Sequence, residues 1–179
     1  MKMILIIVAI TAACLLGFGI VNGVLTTPQA VASSSSSLAV DSITVTVQGE
    51  VIRPGTFVLG KGATMYDLIM AASGTTSNAD VLSFNTDYVL QAKGSYYIAP
   101  LYDNSSTCSA APITKVNINK AEAEELQAVA GFTKTVAAAI VSYRVSKSFE
   151  AIEEIKNVSG IGAATYLSCR DKITLRDAS

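Results

Sequence analysis

Residues 3–25 run for 23 positions without a charged side chain, and only Lys2 precedes them. A bilayer hydrocarbon core of about 30 Å takes roughly 20 helical residues, whereas the apolar region of a signal peptide takes only about 7–15. The length predicts a single transmembrane helix over 3–25. Lys2 and the terminal amine then keep the N-terminus cytoplasmic, so the rest of the chain is expected outside the membrane. Two other readings of this end stay open. Ala30, Val31 and Ala32 form a small-x-small cleavage triplet, and Cys14 after Thr11, Ala12 and Ala13 is a distant echo of a lipoprotein signal. Gly19 and Gly23 make a GxxxG step that lets two such helices pack closely, although small residues are common in membrane helices in any case.

The residue types present narrow the chemistry. There is no histidine, which removes Ser-His-Asp and Cys-His catalysis, the HExxH zinc helix and the neutral-pH switch together. Cys14, Cys108 and Cys169 contain no CxxC pair, and no Asp/Glu pair has a recognisable metal-ligand spacing. A non-enzymatic chain without metal or cofactor is expected. In an oxidising location Cys108 and Cys169 are compatible with a disulfide; Cys169, on an apolar face, reads equally as a free buried thiol.

Residues 26–41, with five serines from Ser33 to Ser37, read as a flexible linker, and 102–112 as a second one. Between them, 42–101 is rich in strand formers. Ile43, Val45 and Val47 alternate with Thr44, Thr46 and Gln48, the period of a half-buried strand, and Arg53, Pro54 and Gly55 turn the chain for a return over 56–59. Thr64 and Asp67 predict a capped helix through Leu68 and Ile69 that Gly74 closes. Apolar runs at 88–90 and 96–99 predict two more strands, giving an α+β unit with its helix on one sheet face.

Residues 113–176 change to helical periodicity. Asn119 and Glu122 predict a capping-box start for a helix over 120–129, and Gly131 breaks it. Val136, Ile140, Val141 and Tyr143 predict a second helix to about Ser146. Ile152, Ile155 and Val158 mark a third, and Tyr166, Cys169 and Ile173 the inward face of a fourth after the tight break at 159–162. The segment is helix, hairpin, helix, twice over.

Two resemblances cover almost the whole chain. The pattern Val-Gln-Gly-Glu-Val-x-Arg-Pro-Gly-x-Phe over 47–57, Ala-Ala-Ser-Gly over 71–74 and Tyr-Ile-Ala-Pro over 97–100 resembles the SLBB family of β-grasp modules, which implies ligand binding or self-association. Val-Asn-Ile-Asn-x-Ala-x-x-Glu-Glu-Leu-Gln over 116–127, Ile-Val-x-Tyr-Arg over 140–144, Phe149, and Asn-Val-Ser-Gly-Ile-Gly over 157–162 resemble the tandem helix-hairpin-helix domain of the ComEA family of competence DNA receptors. The order of anchor, β-grasp module and hairpin domain is that family's as well. The resemblance implies a single-pass cell-membrane protein that captures double-stranded DNA for uptake in bacterial natural transformation. Its implied partners are duplex DNA, DNA-uptake channel proteins, a pilus, and further copies of itself through the SLBB-like module. A cell-envelope interaction protein, binding polysaccharide or protein through that module, is the competing class.

The turn Gly160, Ile161, Gly162 supports the DNA reading on physical grounds. Its glycines permit positive φ and close approach, Ile161 plugs the turn into the core, and the Gly162, Ala163 and Ala164 amides after Ser159 begin a helix whose unpaired N–H groups suit phosphate oxygens. Amide-to-phosphate contacts carry no base information, so sequence-independent binding is expected. The first hairpin, Gly131, Phe132, Thr133, Lys134 and Thr135, departs from the family, which usually has a second glycine where this chain has Thr133. A β-branched residue resists positive φ, so a non-standard cradle is expected there, with Lys134 and Thr135 still in reach of a phosphate. Lysines common after the family's second hairpin are replaced by Ala163 and Ala164. Residues 113–179 hold nine Lys/Arg and eight Asp/Glu, so affinity per monomer is expected to be weak and restored by avidity. Lys134, Arg170 and Lys172 read as ordinary solvated charges, Arg144 as a complement to its helix dipole, and Tyr96, Tyr97 and Tyr102 as strand and core residues.

Overall fold

Alternation along one strand organises the first half of the molecule. In a computed structural model that describes residues 41–103 and 111–177, β1 (Ser42–Gly49) buries Ile43, Val45 and Val47 and exposes most of the side chains between them. It pairs antiparallel with β2 (Gly55–Gly60), Val45 opposite Phe57, and parallel with β3 (Ser95–Ile98), Val47 opposite Tyr96, so the sheet order is β2-β1-β3. Helix α1 (Met65–Ala71) buries Met65, Leu68 and Ile69 in the same core as those three β1 side chains. Its start is the expected capping box: the Thr64 amide donates to the Asp67 carboxylate at 2.7 Å and the Asp67 amide to the Thr64 hydroxyl at 3.4 Å. Gly74 closes it at φ +98, its N–H reaching the Ile69 carbonyl at 2.8 Å.

The strand expected at 88–90 is reduced to a single bridge between Val89 and Thr64. The ladder cannot extend because Thr64 is the cap and the backbone turns helical after it. The Tyr88 and Thr86 carbonyls instead accept the Met65 and Tyr66 amides at 2.9 and 3.0 Å, so this segment serves as a second cap for α1.

The second half contains α2 (Ala123–Leu126), α3 (Lys134–Ser146), a 3-10 helix (Ile152–Asn157) and α4 (Ala163–Cys169). Buried side chains recur at a 29-residue offset: Leu126 and Ile155, Val129 and Val158, Phe132 and Ile161, Ile140 and Cys169. Several sequence expectations are corrected here. The first helix is a single turn capped by Glu122, whose amide donates to Glu125 at 2.8 Å. Asn119 is not the cap. Its amide nitrogen donates to the Phe149 and Leu175 carbonyls, and its oxygen accepts the Phe149 N–H at 2.8 Å, which staples the ends of the repeat together. The third helix is 3-10 rather than α. Ile173 belongs to β7 (Ile173–Thr174), parallel to β6 (Val116–Asn117), so the domain expected to be all-α has its ends joined by two short strands. A further pair, β4 (Tyr102–Asp103) and β5 (Ala111–Pro112), forms within the expected second linker.

Each half has its own main hydrophobic cluster, with Ala151 joining the first and Tyr97 packing on the second, and polar contacts add to this within one compact unit. Phe84 bridges Ala151, and the Leu175 N–H donates to the Leu82 carbonyl at 2.9 Å. The Arg176 guanidinium donates to the Val81 and Phe84 carbonyls, and Lys115 meets Asp80 at 2.6 Å with both side chains buried. A buried pair like this adds little net stability but is costly to break on one side only, so it favours one mutual arrangement.

The expected anchor at 3–25, residues 26–40 of the linker, and Cys108 lie outside the described residues. Among the described residues no helix is long and apolar enough to cross a membrane. Cys169 is a free buried thiol, and burial raises its pKa to about 11.

Candidate nucleic-acid interface

The same tight turn is built twice. The Phe132 N–H donates to the Val129 carbonyl at 3.0 Å in the first, and the Ile161 N–H to the Val158 carbonyl at 3.1 Å in the second. Gly131 and Gly160 precede these donors at φ +89 and +91, a conformation that costs a residue with a Cβ about 1–2 kcal/mol. Phe132 and Ile161 turn into the core. Ser159, Gly160, Gly162, Ala163 and Ala164 remain exposed around the second turn, and Gly131, Thr133, Lys134 and Thr135 around the first.

Each of the leading glycines is also a packing point. A Cβ on Gly131 would lie 2.8 Å from Ser168 Oγ and 3.3 Å from Thr165 Cγ2, both on α4; one on Gly160 would lie 3.1 Å from Val136 Cγ2 on α3. Each turn therefore packs on the helix launched by the other. This reciprocal contact brings both turns and the starts of α3 and α4 side by side.

The expectation for Thr133 is overturned. Gly162 caps α4 at φ −89, ψ −179, and Thr133 caps α3 at φ −83, ψ 166. The position calls for extended backbone, not positive φ, so a threonine sits there without strain and the two turns share one geometry. What Thr133 changes is the donor set. Its hydroxyl accepts the Val136 N–H at 3.3 Å, whereas Gly162 has no side chain to do the same for Thr165, Val136's counterpart. A Cβ on Gly162 would meet nothing within 4 Å, so the backbone there is open to approach. First-turn amides lack intrahelical acceptors, and at Ala163, Ala164 and Thr165 they point to an anionic oxygen as the matching ligand.

The charges near these turns divide into free and engaged. Lys134 and Lys172 are exposed. Arg170 is not an ordinary solvated charge: its guanidinium stacks on the Tyr97 ring at 3.8 Å, and Nε is buried without a partner. Arg144 donates to the Ile118 carbonyl at 3.1 Å in addition to sitting in the last turn of α3. Tyr96 is core, Tyr97 donates its hydroxyl to Asp171 at 2.6 Å, and Tyr102 is exposed. Behind the second turn, Glu153 accepts the Tyr97 N–H at 2.6 Å and the Tyr166 hydroxyl at 3.2 Å, and burial pushes its carboxyl up to about 7. The capping role of Thr133 and the Thr165/Ser168 platform escaped the motif-based reading. The 29-residue offset, which sets Thr133 on Gly162 and Val136 on Thr165, is the signal that finds them.

Comparison with known proteins agrees with this architecture. A helix-hairpin-helix motif matches residues 111–174, and an SLBB domain matches residues 44–86. The chain is 30% identical over 146 residues to ComE operon protein 1 of Bacillus subtilis (strain 168), an alignment covering 76% of this chain and 71% of that protein. With paired hairpins on an SLBB-bearing chain and a relative matched along most of both lengths, the protein belongs to the ComEA family of competence DNA receptors.

Proposed function

We propose that this protein is a membrane-anchored, outward-facing receptor that binds double-stranded DNA without sequence specificity and delivers it for uptake in natural transformation. It acts by binding, not by catalysis. The observation that carries the reading is the pair of turns with matched backbone geometry, set side by side by the Gly131 and Gly160 contacts, whose exposed residues include glycines and alanines that leave the backbone little covered. Amides directed at phosphates hold a duplex in register without reading its bases. The proposed binding set is Gly131, Phe132, Thr133, Lys134 and Thr135 with Ser159, Gly160, Ile161, Gly162, Ala163 and Ala164. Phe132 and Ile161 shape the turns from within, and the other nine face the ligand. Residues 3–25 supply the anchor, the SLBB domain supplies self-association, and channel proteins and a pilus are the partners in uptake.

The test is fluorescence anisotropy of the full chain in detergent on unrelated duplexes of equal length across a salt series. The expected result is equal affinity for each sequence, falling with salt, and loss of binding in Gly162→Asp, whose circular dichroism matches wild type because the Cβ enters open space. No binding at low salt, with dense surface tethering failing to restore it, would place the protein in the envelope-interaction class instead.

A further inference from the structure

The second turn has the open backbone but no cation of its own, since Ala163 and Ala164 follow it. Two lysines, Lys93 and Lys156, line a cleft of about 260 Å³ between the two halves of the molecule. Lys93, Gly94 and Ser95 line it from the SLBB side, and Glu153, Lys156 and Asn157 from the 3-10 helix that leads into the turn. Asn157 and Gly160 are three residues apart, which places the cleft wall within about 10 Å of the turn.

Lys93 is held where it is by the sheet. It adopts φ +62, uncommon for a residue with a side chain. Its N–H donates to the Thr44 carbonyl at 2.7 Å, the Gly94 N–H donates to Gln91, and the Gly94 carbonyl accepts the Thr46 N–H at 2.9 Å. Lys156 is placed by a contact of its ammonium with the Tyr166 ring on α4, 4.8 Å from the centroid.

The carboxylates lining the cleft are already engaged. Glu154 is buried, takes Lys147 at 2.6 Å and accepts the Glu150 N–H at 2.8 Å. Glu153 accepts Tyr97 and Tyr166, and its raised pKa leaves it short of a full charge near neutrality. Lys93 and Lys156 are both exposed, and neither forms an ion pair with a carboxylate among the described residues. Two exposed ammonium groups, Lys156 seated on the Tyr166 ring and near Glu153, and Lys93 on the opposite wall, thus flank a cleft next to a turn that offers amides and lacks charge.

We infer that Lys93 and Lys156 form a phosphate-contact site continuous with the second hairpin, so that the sheet-bearing half of the molecule contributes directly to the path of the duplex. This rests on the DNA-binding reading above. Each strand of a duplex carries a phosphate about every 3.4 Å along the axis, so a backbone seated at the turn continues past a cleft wall within about 10 Å of it. Lys93 adds a cation from outside the near-neutral hairpin half, and each contact contributes counterion release.

The experiment measures the salt dependence of duplex affinity for the full chain in detergent. Lys93→Gly is the informative variant, because glycine tolerates φ +62 and the side chain with its charge is removed without straining the backbone. The expected results are a several-fold weaker Kd at low salt, a log–log salt slope shallower by about 0.9 for Lys93→Gly, and one shallower by about 1.8 when Lys156→Ala is added. Lys93→Arg should bind as wild type. Arg53→Glu, a charge reversal beyond the opposite end of β1, should leave the slope unchanged. If Lys93→Gly and the double variant keep the wild-type Kd and slope while Gly162→Asp abolishes binding, the inference is overturned and the receptor reading stands. If wild type itself does not bind, both fall.

Discussion

The first hairpin uses one of its own amides and the second leaves the equivalent one free. Thr133 closes its turn by accepting the Val136 N–H, while Gly162, in the same backbone conformation, has no side chain to accept the Thr165 N–H. Lys134 puts a cation at the first turn where Ala163 stands at the second. One turn is therefore charged and self-capped, and the other is neutral and open. Duplication preserved the backbone and divided the chemistry, which is why the DNA-contact potential of each half cannot be judged by how closely it matches a glycine-rich motif.

The leading glycines test whether the shared backbone is equally demanding on both sides. Gly131→Ala should cost roughly 2–3 kcal/mol, from positive φ plus the approach to Ser168 and Thr165. Gly160→Ala should cost about 1–2 kcal/mol, because its φ is the same but Val136 leaves slightly more room. Gly162→Ala should cost about 0.5–1 kcal/mol, because alanine is a poorer N-cap than glycine even though its Cβ meets nothing. Urea denaturation followed by circular dichroism ranks the three. Equal losses at 131 and 160 would show that packing across the pair adds nothing to backbone conformation.

A second difference lies beneath the turns. Glu153, behind the second, has Glu124 as its counterpart 29 residues earlier, and Glu124 is exposed. With a folded-state pKa of about 7 against an ordinary 4.5, the Glu153 carboxyl keeps its proton in the folded protein after the unfolded chain has lost it. Stability is therefore expected to fall as pH rises from about 4.5 to about 7, by an amount of the order of 2–3 kcal/mol, and to level off above. Asp67, held low by the Thr64 amide and hydroxyl, and Asp177, held low by Lys120 and Asn117, act only at more acidic pH. Glu153→Gln should flatten the profile between pH 5 and 7. A wild-type profile without that slope would mean that Glu153 is solvated like its counterpart.

Local patterns were readable where one residue's neighbours in sequence are also its partners in space. The β1 alternation, the Thr64/Asp67 box and the inward Ile161 are of this kind, and each appears in the structure as expected. What escaped was set by distant partners. The run at 88–90 looks like a strand, but the backbone beside it is the start of α1. Asn119 looks like a helix cap, but it is claimed by Phe149 and Leu175, 30 and 56 residues away. Ile173 continues a helical period, yet pairing with Val116 draws it into a strand. Nor does any local pattern announce the Lys115–Asp80 pair or the stacking of Arg170 on Tyr97 that join the halves. At the candidate site the structure sets the expected residues on two adjacent turns, and it corrects the conformation required at Thr133.

Thr133 gives the finest test of the comparison, because it separates capping from conformation. Thr133→Ala removes the hydroxyl that accepts the Val136 N–H and should cost about 1 kcal/mol. Thr133→Gly, which converts the first turn to the pattern of the second, should cost only a few tenths, since glycine is nearly as good a cap. The two variants should diverge again in DNA affinity. Thr133→Gly frees the Val136 amide in an unblocked turn beside Lys134, so it should bind at least as well as wild type, and Thr133→Ala should not exceed it. Weaker binding by Thr133→Gly would show that the threonine hydroxyl itself faces the phosphate, and that the self-capped turn contacts DNA through its side chain while the open one uses its backbone.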